Sequence, residues 1–501
     1  MKKVVSLLVA VLLVLAVFPV INVSAAEVSL SSKEKAFINA VLNGESSLNL
    51  SGYKMTVKQL NEAEIKLFNL YPETHHYYKN CNYSYSGNYI TKITSFNYKN
   101  GYTKKSIKSS IAEIESMLSP VLRDINSNWT DAQKALYLHD WICVNFKYDM
   151  DFYSDRTLAN YTLYELITEG KGVCQAYAFT YKYLLDKCGI ENYFVLSTED
   201  DHSWNVVKIN GKWHHVDVTH DDPCIKLNST VEIDYFGNAE HNFFLLSDDQ
   251  INNGHHDNWY NPLGINIYCT DYTGGELWAN ADSAFVYDGG YWYYLDYEVG
   301  GLVRTANFST YTHLATLEKK WYVGENNYYN AYYSGIYAYN GRIFYNDYYR
   351  IYSYDIETDT VDEIAYLQNL QDGSLFGFVM NGTNMNVLIT KDINKNYTSG
   401  DFFIEKYMLC KGGHGDFAAW RIYGDGQIYN CDLCGTVFDC TDEILGDADG
   451  SGYVNTTDLA VLKLAMAGAS NCSALADMDK SGVIDTTDLA ALKLKLAGVG
   501  V

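Results

Sequence analysis

Gly170-Lys171-Gly172-Val173-Cys174-Gln175-Ala176-Tyr177-Ala178, Asp201-His202-Ser203-Trp204-Asn205 and Trp213-His214-His215-Val216-Asp217-Val218-Thr219 are the stretches on which the fold turns. Gly170 and Gly172 interrupt the pattern, and from Cys174 to Leu185 apolar and aromatic residues recur at helical spacing. Cys174 is therefore expected at or just before a helix N-terminus. Residues 192–198, 203–209 and 212–218 alternate like strands, with Asn210-Gly211 as the turn of a tight hairpin between the last two. Adjacent antiparallel strands then bring His202 and Asp217 side by side.

That arrangement has a chemistry. A helix start carries partial positive charge and N–H donors, which favour thiolate over thiol and can receive a developing oxyanion. A histidine beside the thiolate serves as general base and later as acid, while a carboxylate on its other nitrogen fixes tautomer and orientation. The competing reading makes Cys174 a buried core residue, or half of a disulfide with Cys188 or Cys143.

These motifs resemble the transglutaminase-like superfamily, whose members share a papain-like Cys-His-Asp triad. The resemblance runs through Gly172-Val173-Cys174-Gln175, His202-Ser203-Trp204-Asn205 and Trp213 to Thr219, continuing into Asp221-Asp222-Pro223. Upstream, Ala135-Leu136-Tyr137-Leu138-His139-Asp140-Trp141-Ile142 with Tyr148-Asp149 resembles the helix that precedes this domain in bacterial members. The resemblance implies Cys174 as nucleophile, His202 as general base and Asp217 as orienting acid, in acyl transfer at amides through a thioester. His220 stands where relatives often carry Trp, and Ala176 where they often carry Gly; both changes reshape the cleft.

Ahead of this region, Lys2, Lys3, an apolar run from Val4 to Val20 and small residues at Ser24, Ala25 and Ala26 read as a cleaved secretory signal. A membrane anchor fits less well, because the run is short and contains Pro19. Spacing predicts two short helices between Ser31 and Leu70, a Tyr/Asn-rich strand pair over 76–104, and helices over 106–125 and 131–147, the latter opened by a Thr130/Gln133 capping box. His139 is read as a packed or capped histidine rather than a ligand.

At 501 residues the chain should divide into several domains. With 61 acidic against 37 basic residues, the net charge of -24 repels phosphate backbones and anionic lipid. Nucleic acid and membrane are accordingly excluded as partners. Eleven cysteines are an odd number for an exported protein, so complete pairing would leave one thiol free, and Cys174 is the candidate.

From 263 to 409 the sequence turns to short alternating strands with Asp/Asn-Gly hairpins at Asp288-Gly289, Asn340-Gly341 and Asn381-Gly382. This predicts an all-β, tyrosine-rich domain, propeller-like or a sandwich. Its tyrosines are read first as cross-strand pairs and second as a surface for carbohydrate or protein. Beyond it, Cys410, His414, Cys431 and Cys434 form C-x3-H and C-x2-C pairs suited to tetrahedral Zn²⁺, with disulfides involving Cys440 as the rival.

The C-terminus repeats a calcium-loop pattern. Asp447, Asp449, Ser451, Tyr453, Asn455 and Asp458, and again Asp477, Asp479, Ser481, Val483, Asp485 and Asp488, fill positions 1, 3, 5, 7, 9 and 12, with Tyr453 and Val483 offering backbone carbonyls and Gly452 and Gly482 at position 6. Each loop leads into one helix and lacks the helix in front, and position 12 is Asp rather than Glu. Together these features resemble the type I dockerin module of cellulosomal proteins. The resemblance implies two Ca²⁺ ions and a cohesin module of a scaffoldin as partner, engaged through Thr456, Thr457, Lys463, Thr486, Thr487 and Lys493.

The sequence thus predicts a multidomain protein: signal 1–25, N-terminal α+β extension 26–105, α+β papain/transglutaminase-like core 106–262, all-β domain 263–409, Cys/His module 410–440 and α-helical dockerin 441–501. The expected whole is a secreted, cellulosome-attached and cell-surface-associated cysteine enzyme acting on protein or peptide amides, hydrolysis ahead of cross-linking. Its opposite is a non-catalytic binding or structural subunit.

Overall fold

The computed structural model describes residues 28–99, 101–199, 201–228, 231–234, 237–252, 256–275, 277–322, 328–366, 374–381, 384–390 and 402–408, with shorter stretches inside 428–439 and 445–496. Among the described residues no helix is long and apolar enough to cross a membrane.

Helices α1 (Ser32–Leu42) and α2 (Val57–Leu70) pack against an antiparallel pair, β1 (Tyr78–Ser86) and β2 (Tyr89–Tyr98). Phe37, Leu60, Leu67, Tyr78 and Phe96 fill the space between them. Two longer helices follow, α3 (Lys104–Arg123) and α4 (Asp131–Asn145). The capping box at α4 forms reciprocally, Gln133 N–H donating to Thr130 Oγ1 at 3.2 Å and Thr130 N–H to Gln133 Oε1 at 2.9 Å.

Helix α5 (Leu163–Glu169) ends at Gly170, whose φ of 74° is the left-handed conformation that lets a helix stop in one residue. Three residues on, α6 (Cys174–Lys187) begins. It is the central helix: every residue from Ala176 to Leu185 is buried. Gly172 makes the tight junction possible, because a Cβ there would lie 2.7 Å from Ala176 Cβ and 3.0 Å from Leu166 Cδ1.

An antiparallel sheet lies against α6. Its strands are β3 (Asn192–Ser197), β4 (His202–Ile209), β5 (Lys212–Val216), β6 (Phe244–Leu246) and β7 (Trp259–Tyr260), in the order β6-β5-β4-β3-β7. Asn210 (φ 51°) and Gly211 (φ 79°) make the β4–β5 turn, the two positive values that a type I′ hairpin needs. Asn205 Nδ2 donates to Ala178 O at 3.0 Å and so ties β4 to α6.

The tyrosine-rich region forms three successive meanders. Val286–Asp288, Tyr291–Asp296, Gly301–Thr305 and Thr312–Thr316 make a four-stranded sheet. A second comprises Ile336–Tyr339, Arg342–Asn346, Arg350–Asp355 and Thr360–Tyr366, and a third, of three strands, Ser374–Asn381, Asn384–Thr390 and Phe402–Met408. Many of the tyrosines are structural: Tyr293, Tyr294, Tyr345 and Tyr354 are fully buried, and Tyr345 stacks on Tyr352 across strands at 5.3 Å.

One apolar cluster runs from Ile114 on α3 to Leu388 in the third meander. Trp129 sits at the join, 5.0 Å from the Tyr287 ring and 4.6 Å from that of Trp292. Beside it, Asp140 Oδ2 accepts the backbone N–H of Phe285 at 2.7 Å.

Pairing is not complete: among the described residues more than one cysteine is free of a disulfide. Cys81, Cys188 and Cys269 are free thiols alongside Cys174. They sit on β1, at the end of α6 and beneath the sheet edge, too dispersed to pair. The disulfide Cys174–Cys188 is therefore absent.

Near the C-terminus, α8 (Thr456–Met466) and α9 (Thr486–Leu496) share a small core of Ala448, Leu462, Ala476, Met478, Ala491 and Leu492. A one-turn helix, α7 (Asp248–Ile251), lies between α6 and α8 in sequence and borders the sheet.

Candidate active site

Cys174 is the first residue of α6 and half-buried. His202 opens β4, paired with Ser197 of β3, and Asp217 directly follows β5 with its backbone N–H on Phe243 O at 3.0 Å. The helix start and the two strand ends thus meet at one corner of the sheet. His202 Nε2 lies 2.5 Å from Asp217 Oδ2. His202 also acts on Cys174, each shifting the other's ionisation, and Ser203 adds to the effect on the thiol.

Electrostatics follow from those contacts. Burial works against ionising Cys174, but the hydrogen bond and charge of His202, with help from Ser203, pull its thiol below the ordinary value. Burial likewise opposes the imidazolium of His202, yet Asp217 first and Cys174 second push it up to about 10. Asp217 is fully buried; His202 and His220 nonetheless hold its carboxyl well below the usual range. The arrangement favours a thiolate–imidazolium pair backed by a carboxylate.

Asp217 receives more than the sequence indicated. Its Oδ1 accepts the N–H groups of Thr219 at 3.0 Å and His220 at 3.2 Å. Its Oδ2 also meets His220 Nδ1 and His256 Nε2, each at 2.8 Å. His220 is thus not only a change of cleft shape. His256 was missed; it lies in a His255-His256 pair just before β7 that carries no motif spacing.

Behind His202, Trp204 lies nearly parallel to the ring at 5.5 Å and donates Nε1–H to His215 Nδ1 at 3.0 Å. The proton of His215 therefore sits on Nε2, which faces Asp248 Oδ1 at 3.0 Å. A second buried network supports the other flank. His139 Nδ1 bonds Asp140 Oδ1 at 2.8 Å, its Nε2 bonds Asp221 Oδ2 at 3.1 Å, and His241 Nε2 reaches Asp140 Oδ1 at 2.9 Å. Burial opposes charging His139, but Asp140 and Asp221 raise its pKa to about 9. Asp221 also accepts Phe243 N–H at 2.9 Å, and Phe243 O holds Asp217. His139 is packed, as expected, but as part of the scaffold under the site.

Of the calcium-loop residues, Asp458, Asp477, Asp485 and Asp488 are described, whereas Asp447, Asp449, Ser451, Tyr453, Asn455, Asp479, Ser481 and Val483 lie outside the described residues. Asp458 and Asp488, both at position 12, are fully buried at helix starts. Asp488 accepts Met478 N–H on Oδ1 and Asp485 N–H on Oδ2, each at 2.7 Å. Carboxylates buried at the ends of two acidic loops fit Ca²⁺, a hard cation bound by oxygen. Lys463, Thr486, Thr487 and Lys493 are exposed, and Thr456 and Thr457 open α8. Cys410, His414, Cys431 and Cys434 lie outside the described residues.

Residues 121–218 match the model of the transglutaminase-like superfamily and residues 445–497 that of the dockerin type I domain. The chain is 24% identical over 127 residues to kyphoscoliosis peptidase of Mus musculus, covering 23% of this chain and 18% of that protein. It is 24% identical over 120 residues to kyphoscoliosis peptidase of Homo sapiens, covering 21% and 18%. The chain thus spans about a fifth of the length of these relatives. Among solved structures, a protein from Cytophaga hutchinsonii described as a cysteine protease aligns at 20% identity and TM-score 0.18, over 22% of this chain and 37% of that one. A TGase aligns at 13% identity and TM-score 0.21, over 36% and 52%. Residues 121–218 are a transglutaminase-like core, and residues 445–497 are a type I dockerin domain, a module of a class that binds calcium and cohesins.

Proposed function

We propose that the chain is a secreted cysteine enzyme that transfers acyl groups from protein or peptide amides, carried to a cellulosome by its dockerin. One observation supports this above the rest: His202, held on a buried carboxylate at 2.5 Å, couples electrostatically to Cys174 at a helix start. In the proposed cycle Cys174 Sγ attacks the amide carbon and the C–N bond breaks. The proton held by His202 passes to the leaving amine, and a thioester remains on Cys174. Water then attacks, His202 takes its proton, and the C–S bond breaks to release the acid and restore the thiolate–imidazolium pair. Asp217 holds the ring throughout.

Backbone N–H donors at the very start of α6 would receive the oxyanion. Hydrolysis is the favoured outcome, and a primary amine in place of water would give cross-linking. When bound, calcium would be held by the two loops through Asp447, Asp449, Ser451, Asn455 and Asp458 and their counterparts Asp477, Asp479, Ser481, Asp485 and Asp488. It folds the docking module and takes no part in the acyl chemistry. The module would present Thr456, Thr457, Lys463, Thr486, Thr487 and Lys493 to a cohesin. The 410–434 cysteine and histidine pairs are proposed as a separate structural zinc module.

The test is incubation with a mixed protein pool and a labelled primary amine, read by mass spectrometry. New termini that depend on Cys174 establish a peptidase, and incorporated amine establishes a transferase. An unchanged pool, with alkylation of Cys174 at ordinary thiol rates, points to the non-catalytic subunit.

A further inference from the structure

Two of the imidazoles on Asp217 do nothing that orienting His202 requires. Oδ2 has His202 Nε2 at 2.5 Å, His220 Nδ1 at 2.8 Å and His256 Nε2 at 2.8 Å. Oδ1 is engaged by two backbone N–H groups. A carboxylate oxygen offers about two lone-pair sites, so three ring donors on one oxygen exceed what it accepts in good geometry. A triad needs one. Three imidazole nitrogens and a carboxylate oxygen are, however, a donor set for zinc.

The four ligand atoms lie within 4.8 Å of one another. Bonds of about 2.0–2.1 Å to a tetrahedral ion place ligand atoms about 3.3 Å apart, a difference that side-chain rotation absorbs. The site is built into the fold rather than scattered on its surface. Asp217 and His256 are at most 1% exposed, while the His202 and His220 side chains, 11% and 32% exposed, leave a way in from the cleft. Trp204 packs on both His202 and His256, at 5.5 and 4.7 Å, which fixes two of the rings.

We propose that His202, Asp217, His220 and His256 bind a divalent transition-metal ion, with zinc the best match, and that the bound ion switches Cys174 off. The mechanism is local. A ring metallated at Nε2 keeps a single proton, on Nδ1, and has no lone pair left with which to become the imidazolium that pairs with the Cys174 thiolate. The carboxylate that would orient it is consumed as a ligand. The binding half stands on geometry alone, and the switching half rests on the cysteine-enzyme reading.

The test uses the full chain in saturating Ca²⁺, with Cys410, Cys431 and Cys434 changed to Ser to remove the other zinc candidate. Equilibrium dialysis against Zn²⁺ should find one equivalent more in this protein than in the same protein carrying His220→Gln or His256→Gln. His220 is half-exposed, so its variant guards against a folding defect in the buried one; circular dichroism checks both. Equimolar Zn²⁺ should slow carbamidomethylation of Cys174 at least about tenfold, reversibly with chelator, and the slowing should shrink at least tenfold in affinity in each variant. Equal zinc uptake by parent and both variants overturns the proposal. Zinc bound through the histidines, with Cys174 reacting at an ordinary rate with or without it, upholds the site and overturns the switch together with the enzyme reading.

Discussion

His202 presents Nε2 to Asp217 at 2.5 Å, and the same imidazole favours Cys174 as thiolate. In metal-free protein with calcium restored, carbamidomethylation of Cys174 should therefore persist at a pH below that at which an ordinary thiol stops reacting. Substitution His202→Ala should return it to an ordinary thiol, reactive only toward pH 8 to 9. Asp217→Asn should cut turnover by about 10²–10⁴ while leaving alkylation measurable. Identical pH profiles for parent and His202→Ala would remove the ion pair from consideration.

Gly172 tests the junction that aims the thiol. A Cβ would press on Ala176 and Leu166 at 2.7 and 3.0 Å. Gly172→Val should lower stability by about 1–3 kcal/mol in urea melts. Alkylation of Cys174 should slow in the same variant even under folding conditions, because the start of α6 must shift.

The buried His139 network predicts a loss of stability in alkali. Its pKa is raised to about 9, so the stabilisation is complete below the unfolded value near 6.5 and disappears as pH rises through 9. Melting temperature should fall between pH 7 and 10. Asp140→Ala strands His139, His241 and the Phe285 N–H at once, for about 3–5 kcal/mol, and should flatten that alkaline slope. An unchanged slope in the variant would place the alkaline transition elsewhere.

Acid should act on the N-terminal unit. Burial pushes His76 down to about 4, where it bonds Ser110 Oγ at 2.8 Å and stacks on Tyr164. The neutral ring's contribution is present above about 6.5 and lost as pH falls toward 4, on the order of 1–3 kcal/mol. His76→Gln should remove that acid sensitivity, measured as the pH dependence of urea midpoints.

Chelation should unfold the dockerin and spare the rest. Excess EDTA is expected to open the chain to protease beyond about residue 440 and to abolish cohesin binding, while Cys174 reactivity survives. Protection of that segment in EDTA would contradict calcium-dependent folding.

Local chemistry was legible in the sequence wherever the signal was local. The glycines before Cys174, the Asn210-Gly211 turn and the paired acidic loops each act within a few residues, and the helix start and the hairpin stand where they were read. What escaped was set by distant pairing. His256 reaches Asp217 because β7 pairs Trp259 with Ser197, and nothing near His256 announces it. His139 meets Asp221 from 82 residues away and its neighbour Asp140 meets His241 from 101, contacts that no periodicity encodes. A count of cysteines does not decide pairing, and among the described residues Cys81, Cys174, Cys188 and Cys269 stay free.

Trp129, wedged against Tyr287 and Trp292, has an implication for how this protein is inherited. A gene cut between the helices and the meanders would strip cover from that indole and orphan Asp140. Helices, sheet and meanders would then have to be inherited as one block, while the described dockerin residues close a separate core, the piece that recombination could trade.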